Sequence, residues 1–371
     1  MAKVSLKRCS YEPSEARRAV AAALASALGE KAAALRGKRI LLKPNLAIAW
    51  SPDRAATTHP EIVGAAIDYL RSAGAEVSVG DSPAGAVRGV KRVWDATGMT
   101  QMCEARGATL VNFEAGGWVE CSVDGRTYRI AKAILDFDHV ISLPKFKTHV
   151  LTLITGAVKN TFGWVPGLDK SRFHLYNPRP AAMSKILADV FSIAAPVATL
   201  VDAVDAMEGN GPSSGRVRHL GFIAAGGDAV ALDAVLADLV GIEPMKVPTT
   251  REAWRRGLGE GRLDHIDLEG DNPGDFTVGG FDVPTNWQFS LVPNALVRAL
   301  ARWFWVRPVV NATSCVGCGD CVRGCPASAI GLDGGKAVVT YAKCVACLCC
   351  IEVCPAGAID ALKSTLARLV T

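Results

Sequence analysis

The stretch "CVGCGDCVRGCP", Cys315 to Pro326, returns 29 residues later as "CVACLCCIEVCP", Cys344 to Pro355. Both copies follow the pattern C-x2-C-x2-C-x3-C-P, and they share nine of sixteen positions when they are extended to Ile330 and Ile359. Self-similarity at a fixed offset indicates an internal duplication. Two such segments near the carboxy end raise two questions: which group they hold, and what the 314 residues before them do with it.

The spacing of the cysteines suits an iron–sulfur cluster. Gaps of two residues let a tight loop turn three thiolates toward one [4Fe-4S] cube, while the fourth Cys, just before Pro, points elsewhere. Zinc is the alternative, but zinc ribbons use two C-x2-C pairs rather than four cysteines in an eleven-residue run followed by Pro. The pattern therefore favours two [4Fe-4S] clusters as the cofactors.

This part of the chain closely resembles the bacterial two-cluster ferredoxins, in which the fourth Cys of each run ligates the other cluster. The resemblance implies two crossed sets of ligands. One cluster would take Cys315, Cys318, Cys321 and Cys354, and the other Cys344, Cys347, Cys350 and Cys325. Cys349 departs from the pattern, and we expect it to pack against a cluster as a small apolar residue; a ligand-swapping or redox role is the alternative.

The composition of the 371-residue chain is that of a globular protein. Half of the residues are hydrophobic and 21% are charged, which does not fit a disordered chain. The net charge of +5 is mild and no dense Lys/Arg run occurs, so no nucleic-acid partner is predicted. Neither a signal peptide nor a charge-free apolar run of ~20 residues is visible. We therefore expect a soluble, cytoplasmic protein without a membrane partner, and its oligomeric state stays open.

Strand-like and helical runs alternate in the part before the cysteines. The strand-like runs include "KRILLKPNL", "EVSVGDSP", "DHVISLPKFK" and "VATLVDAV", and the helical runs include "HPEIVGAAIDYLRSAG", "VRGVKRVWDATGMTQMCEARG" and "DAVALDAVLADLVGI". "VECSVDGRTYRIAK" is typical of a hairpin that turns at Asp124-Gly125, and we expect it to add antiparallel strands. The pattern predicts an α/β fold with a mainly parallel sheet flanked by helices, followed by a small α+β two-cluster ferredoxin-like domain.

The predicted boundaries are 1–285 for the α/β domain, 286–310 for a connecting segment and 311–371 for the ferredoxin-like domain. The connecting segment carries Arg298, Arg302 and several aromatic residues, which is typical of an amphipathic helix. We expect this helix to cover the cluster domain. A helix that lies on a membrane surface is the alternative.

Polar residues follow several of the predicted strands. Binding sites gather at the C-terminal ends of parallel strands, so we expect these residues to meet in one pocket. The expected substrate-binding residues are Lys43, Asn45, His59, Asp81, Thr155, Asn160, Asp202, Glu208 and Asn210. The expected catalytic residues are Lys145, Lys147, His149 and Lys159.

Six motifs in this region, "KPNL", "THPEIV", "GDSP", "LPKFKTH", "TGAVKNTFG" and "DAMEGNGPSSG", resemble the domain-of-unknown-function 362 family. The resemblance covers roughly residues 40–241, and members of that family are often fused to a C-terminal two-cluster ferredoxin segment. It implies the same fusion here but no particular reaction. The roles of the residues therefore rest on their own chemistry.

The lysines at strand ends favour an anion pocket, in which ammonium groups hold a carboxylate or phosphate. The alternative is that Lys43 and the others are solvated or paired with Asp81 and Asp202. A partly buried Lys can donate a proton near neutral pH. His149 and His59 are further candidates for proton transfer, unless they only cap helices. We expect the carboxylates to pair with lysines rather than bind a divalent cation, and "EGNGPSSG" to be a flexible loop over the substrate.

Two classes of function follow from these patterns. In the first, the chain is an iron–sulfur reductase that passes low-potential electrons between an external redox protein and a small anionic substrate. In the second, it is a non-enzymatic electron carrier or docking subunit. We favour the reductase because a carrier needs only roughly the last 60 residues. A reductase predicts a deep basic pocket near one cluster, whereas a carrier predicts a flat patch. No dinucleotide or phosphate-loop motif occurs, and a flavin site, which often leaves no short motif, stays open.

Overall fold

The computed structural model of the chain describes residues 1–83, 89–167, 169–177, 179–284 and 306–364. These residues form an α/β domain around one large sheet and a smaller cysteine module. The module begins with the strand Val306–Val310, ahead of the boundary expected at 311, because this strand pairs with the last strand of the module. The rest of the helix expected within 286–310 lies outside the described residues.

The helices of the α/β domain are α1 (Pro13–Leu28), α2 (Pro60–Ser72), α3 (Val90–Ala96), α4 (Met99–Arg106), α5 (Ala133–Asp136), α6 (Ala157–Asn160), α7 (Asp169–Tyr176), α8 (Pro180–Ile193), α9 (Ala229–Leu239) and α10 (Pro248–Arg255). Its strands are β1 (Ala2–Arg8), β2 (Arg39–Pro44), β3 (Glu76–Asp81), β4 (Thr109–Asn112), β5 (Trp118–Val123), β6 (Arg126–Ala131), β7 (His139–Leu143), β8 (Lys145–His149), β9 (Leu153–Thr155), β10 (Ala198–Asn210), β11 (Ser214–Gly226) and β12 (Ile266–Gly270). The cysteine module contains β13 (Val306–Val310), α11 (Asp320–Arg323), β14 (Ile330–Asp333), β15 (Lys336–Val339), α12 (Cys349–Val353) and β16 (Ile359–Lys363).

The large sheet has the strand order β12-β1-β11-β10-β7-β2-β3-β4. Strands β10, β7, β2, β3 and β4 pair in parallel, whereas β11 pairs antiparallel with β10 and with β1. The predicted α/β fold with a mainly parallel sheet and flanking helices is confirmed, and an antiparallel portion at one side makes the sheet mixed.

The apolar run in β2 explains why both faces of the sheet are covered. Ile40 and Leu42 pack with α1 and α2 on one face, while Leu41 packs with α8 on the other face, since successive side chains of a strand point to opposite sides. All three are fully buried. A strand buried on both faces lacks the polar alternation of a half-exposed strand.

Strand β8 carries three ionisable side chains. It follows Pro144 directly after β7 and pairs with β10 and with the short β9. Because side chains alternate, Lys145, Lys147 and His149 lie on one face of β8, and Phe146 lies on the other face within an apolar cluster. Every residue of β8 is buried, so its ionisable side chains face other protein groups and not bulk water.

Two local predictions were wrong in detail. The single helix expected over 87–107 is two helices, α3 and α4, because Gly98 between them adopts φ +74°, a left-handed conformation that interrupts a helix. The hairpin β5–β6 does turn at Asp124-Gly125. It forms a separate two-stranded sheet and does not extend the large one, because its buried residues Tyr128 and Ile130 pack in the cluster that contains α8.

The segment "EGNGPSSG" was expected to be a flexible loop, and this prediction was wrong. It forms the closed end of the β10–β11 hairpin, where Asn210 pairs with Ser214. Thr148 Oγ1 donates a hydrogen bond to the Gly209 carbonyl over 2.9 Å, and Ser213 Oγ donates to the Ile351 carbonyl over 3.0 Å. These bonds attach the hairpin end to β8 and to the cysteine module.

Within the described ranges, no helix has both the length and the apolar character needed to cross a bilayer.

Candidate functional site

The cysteine module contains two cavities that are each surrounded by four cysteines. The first is lined by Cys315, Cys318, Cys321 and Cys354, and the second by Cys325, Cys344, Cys347 and Cys350. These are the two crossed sets that the ferredoxin resemblance implies. Each cavity has a volume of about 310 Å³.

The surroundings of these cavities fit a [4Fe-4S] cluster better than a single metal ion. Among the residues described, no three His, Cys, Asp or Glu side chains converge on a point where one ion could bind. The sulfur atoms surround a larger space, and backbone N–H groups point at several of them. Ala329 N lies 3.2 Å from Cys325 Sγ, and Ala358 N lies 3.2 Å from Cys354 Sγ. Such N–H groups stabilise thiolates bound to a cluster.

A third cavity lies between the cysteine module and the α/β domain, and we call it the cleft. Its volume is about 700 Å³, more than twice that of either cysteine cavity. One wall comes from α12 of the cysteine module, through Cys349, Glu352 and Val353. From the α/β domain the cleft is lined by Lys43, Asn45, Ala47, Asp81, Ser82, Pro83, Lys159, Asn160, Phe162, Gly163, Gly167, Lys170, Ser171 and His174.

Lys43 and Asp81 form a buried ion pair at the base of the cleft, with 3.1 Å between Nζ and Oδ1. They stand at the C-terminal ends of the parallel strands β2 and β3, where the fold predicts a site. Lys43 also donates to Asn160 Oδ1 over 2.8 Å. Burial lowers the pKa of Lys43, and the carboxylate of Asp81 opposes that shift. The structure therefore brings Lys43, Asp81 and Asn160 together.

Lys147 lies behind this group and touches it through Asn45. Its Nζ donates to Asn45 Oδ1 over 3.1 Å and to the Ala56 carbonyl over 2.6 Å. Asn45 in turn donates to Asn160 Oδ1 over 3.1 Å. Burial, with the nearby charge of Lys159, lowers the pKa of Lys147 to about 7.

His149 joins the α/β domain to the cysteine module. Its Nδ1 accepts a hydrogen bond from Leu151 N over 3.0 Å, so the proton of the neutral ring resides on Nε2, which faces Glu352 Oε1 at 3.1 Å. Burial and the charge of Lys159 lower the pKa of His149 to about 3. For Glu352, burial favours protonation, but the hydrogen bond from His149 and the charge of Lys159 outweigh it and hold its pKa below the usual range.

Helix α7 supplies two side chains to the cleft. Lys170 donates to both the carbonyl and the hydroxyl oxygen of Ser82, and burial lowers its pKa to about 8. His174 is one helical turn further along and packs edge-on against Phe162. Burial also lowers the pKa of His174, so its ring is neutral near pH 7.

Lys145, Asp202 and His59 do not line the cleft and form a separate group with Tyr11. Lys145 Nζ lies 3.0 Å from Asp202 Oδ2 and 2.7 Å from the Tyr11 hydroxyl, and both side chains of the ion pair are fully buried. His59 stacks on Tyr11 with 3.6 Å between ring centroids. Its Nδ1 accepts from Glu61 N at the start of α2, so it caps that helix. This group joins the segment between β1 and α1, the start of α2, β8 and β10. It matches the alternative foreseen for these residues, in which the lysine pairs with Asp202 and the histidine caps a helix.

Three other expected site residues also lie away from the cleft. Thr155 is buried in β9, opposite Lys147. Glu208 forms an ion pair with Arg216 at 3.3 Å. Asn210 is exposed at the end of the β10–β11 hairpin. Strand β10 continues for many residues after its pairing with β7. Its last residues therefore lie away from the C-terminal ends of β2 and β3.

Sequence reasoning missed several residues of the cleft, among them Lys170, His174 and Glu352, and it did not foresee Cys349 as a wall residue. "DKSRFHLY" has little apolar periodicity, and nothing in it shows which face packs inward. For Glu352 a signal exists, because it is a charged residue inside a cysteine run that otherwise holds small and apolar residues.

Further bonds hold the module against the α/β domain around the cleft. Trp50 Nε1 donates to the carbonyl of Pro355, the residue after Cys354, over 2.7 Å. Val150 packs with the apolar residues of the cysteine module. On another side of the module, Arg92 lies 3.6 Å from Asp320. The two parts therefore share an interface that encloses the cleft.

A duplicated cysteine module with cavities of this kind defines an iron–sulfur protein. A family model described as a 4Fe-4S dicluster domain matches residues 307–355, so the protein binds [4Fe-4S] iron–sulfur centres and the domain indicates an electron-transfer role.

A second family model, described as a domain of unknown function (DUF362), matches residues 40–238. The chain therefore belongs to the DUF362 family, with a 4Fe-4S dicluster domain at its C-terminal side, and the predicted fusion is confirmed.

The chain is also similar to a curated relative and to two solved structures. A thylakoid-associated protein from Synechocystis sp. is 37% identical over 224 residues, which cover 60% of this chain and 69% of the relative. The lactate racemase apoprotein from Thermoanaerobacterium thermosaccharolyticum matches with a TM-score of 0.40 and 14% identity, over 61% of this chain and 54% of that one. A protein from Thermotoga maritima matches with a TM-score of 0.35 and 12% identity, over 53% and 51%. The match thus spans about half of each solved chain.

Proposed function

We propose that this protein is an iron–sulfur reductase that holds two [4Fe-4S] clusters and reduces a small anionic substrate in the cleft. When bound, the clusters supply single electrons at low potential. The observation that supports this proposal is the shared cleft, in which α12 of the cysteine module faces the basic residues of the α/β domain.

The position of the cleft relative to the second set of cysteines supports this proposal. Cys349, a wall residue of the cleft, is the chain neighbour of Cys350, a member of the second set. Consecutive Cα atoms are about 3.8 Å apart. A substrate in the cleft would therefore lie beside a cysteine of the second set. Val353, another wall residue, is the chain neighbour of Cys354, so a cysteine of the first set lies near the cleft as well.

The side chains of the α/β domain bind and orient the substrate in this proposal. Lys43 is held by Asp81 and Asn160, and Lys170 by Ser82, so both present charge from fixed positions. Lysines whose pKa values are lowered by burial can release a proton near neutral pH. Lys170, with a pKa of about 8, is the best placed of them to protonate a reduced substrate.

A redox partner protein supplies or removes electrons at a groove beside Cys325, where the module meets the α/β domain. This open groove is lined by Trp118, Arg129, Arg172, Arg323 and Cys325 among others, and its volume is about 960 Å³. Cys325 belongs to the second set of cysteines. The groove thus gives a protein partner an approach to the second set of cysteines, and it adjoins the cleft at Gly167 and Ser171.

Anaerobic reoxidation tests the proposal. Holoprotein reduced with dithionite is mixed with a panel of small anionic metabolites, and the return of the oxidised absorption spectrum is followed. We expect at least one of these compounds to reoxidise the wild type, and Lys170→Met to slow that step with unchanged iron content. Lys91→Met, at a side chain that is 77% exposed, is the control. If partner proteins reoxidise the centres and no small molecule does, the carrier alternative is correct.

A further inference from the structure

One ammonium group of the cleft has no partner in the part of the chain that the structure describes. Lys43 is paired with Asp81, and Lys170 is bonded to Ser82. Lys159, on α6, lines the cleft without a hydrogen bond or an ion pair to any described residue. Helix α6 is fixed from behind, since Asp233 accepts hydrogen bonds from its first two backbone N–H groups over 2.6 and 3.1 Å. Lys159 is therefore positioned but unsatisfied.

A second group in the same cleft is also unsatisfied. His174 is only 4% exposed, and its Nδ1 has no hydrogen-bond partner among the described residues. Buried polar atoms in native proteins nearly always have a partner, and an unpaired one costs roughly 1–3 kcal/mol. With its proton on Nδ1, the neutral ring donates one hydrogen bond. The cleft thus offers one ammonium and one imidazole that await an acceptor.

The charges that line the cleft limit what that acceptor can be. The ammonium groups belong to Lys43, Lys159 and Lys170, and the carboxylates to Asp81 and Glu352. The difference is one positive charge. An anion beside Lys159 favours its charged form, and a single negative charge matches the excess among these five side chains. A second negative charge would face Asp81 or Glu352 without a free cation, which is costly in a buried site.

We infer that the cleft binds a small monoanion through one carboxylate group, held by Lys159 Nζ and His174 Nδ1. The two donors match the two oxygens of a carboxylate. Phe162 and Val353 line the same cleft and suit a short apolar remainder, while Cys349 faces that remainder from the side of the second cluster set. This inference rests on the proposed function for the identity of the site as a substrate pocket, and it adds the substrate class: monocarboxylates, and not phosphates or dicarboxylates.

Calorimetric titration of the oxidised holoprotein under argon tests the inference. The probes are acetate and propanoate as monoanions, and sulfate and succinate as dianions. We expect the monoanions to bind at least about tenfold tighter than the dianions, a difference of about 1.4 kcal/mol. Lys159→Met and His174→Phe should each weaken propanoate about tenfold or more. Lys91→Met and His265→Asn, at exposed positions, should not. Lys159→Gln, with iron content as a check, serves if Lys159→Met fails to fold.

A gain of binding gives the sharper test of the charge argument. Glu352→Gln removes one negative charge and keeps a hydrogen-bond acceptor for His149, so it should raise the affinity for sulfate. Dianions that bind wild type as tightly as monoanions, no binding of any probe, or variants that bind like wild type would each overturn the inference.

The binding and reoxidation experiments can fail independently, so they test the monoanion site and the reductase proposal separately. If propanoate binds as expected but no small molecule reoxidises the reduced protein, the reductase proposal fails and the monoanion site stands. If a dianion proves to be the oxidant, the substrate class is wrong and the reductase proposal stands.

Discussion

The two copies of the cysteine segment differ where they meet the rest of the chain. In the first copy, Asp320 is buried and bonds to Arg323 and Arg92, while Arg323 is 48% exposed beside the open groove. The same positions in the second copy are Cys349 and Glu352, and both line the cleft. The first copy pairs Asp320 with its own Arg323 and with Arg92 of the α/β domain, whereas the second copy directs Glu352 at His149 and the cleft.

This difference shows how two copies of one segment can have different surroundings within the same module. The ligand cysteines are the same in both copies, because the cluster geometry permits little change. The residues between them differ at several positions, among them those of Asp320 and Arg323 in the first copy, which are Cys349 and Glu352 in the second. In our account the first copy and the groove face the redox partner, and the second copy faces the substrate.

The largest expected effect is on the iron content, and it should differ between variants at Cys350 and at its chain neighbour Cys349. Cys350→Ser removes a member of the second set, so we expect iron and sulfide to fall to roughly half of the wild-type content. Cys349→Ser, one residue away, should keep the full content, because Cys349 lines the cleft and completes neither set. Anaerobic iron and sulfide analysis decides this. Equal losses in both variants would make Cys349 a ligand and remove the distinction drawn here.

The next effect is on stability, and it compares Arg323 of the first copy with Glu352 at the equivalent position of the second copy. Glu352→Ala leaves His149 Nε2–H without its acceptor and Lys159 without a nearby negative charge, so we expect a loss of about 2 kcal/mol in the free energy of unfolding. Arg323→Ala removes a half-exposed ion pair and should cost less than about 1 kcal/mol. Denaturant unfolding of the holoprotein under argon measures both. An equal cost would mean that the second copy is no more tightly coupled to the α/β domain than the first.

The smallest effect concerns pH and the α/β wall of the site. Burial lowers the pKa of Lys147 to about 7 in the folded protein, against about 10.4 for an unfolded chain. Between these values the unfolded state binds more protons, so stability rises with pH there; below pH 7 both states are charged and the dependence ends. From pH 7 to pH 8 the contribution is about 1 kcal/mol. Lys147→Met should remove it, while Lys91→Met should keep it. Parallel curves for wild type and Lys147→Met would contradict the lowered pKa.

The cysteine sets, the fold and part of the site could be predicted from the sequence, because local patterns determine them. The cysteine spacing predicts the two ligand sets because the geometry is local and repeated. The α/β fold, Lys43, Asp81 and Asn160 were predictable because polar residues at strand ends converge. The period of two in "KFKTH" likewise indicates that Lys145, Lys147 and His149 share a face.

Other features depend on tertiary packing that no local pattern encodes. Lys145 and His59 were expected in the pocket, but Tyr11, on a distant segment, accepts a hydrogen bond from Lys145 and stacks on His59, so the three form a separate group. Glu352 enters the site only because α12 docks against the α/β domain. His174 and Lys170 lie on a helix with weak amphipathic character, whose inward face is set by its neighbours.

The most direct test of the central claim is the distance between a bound anion and the second cluster site. With ¹³C-carboxylate-labelled propanoate bound, the dithionite-reduced holoprotein is measured by electron–nuclear double resonance. The account predicts a resolved ¹³C coupling to a paramagnetic cluster in wild type, and its loss in Lys159→Met. Propanoate that binds with full occupancy but shows no ¹³C coupling would place the anion site away from the clusters and contradict the account.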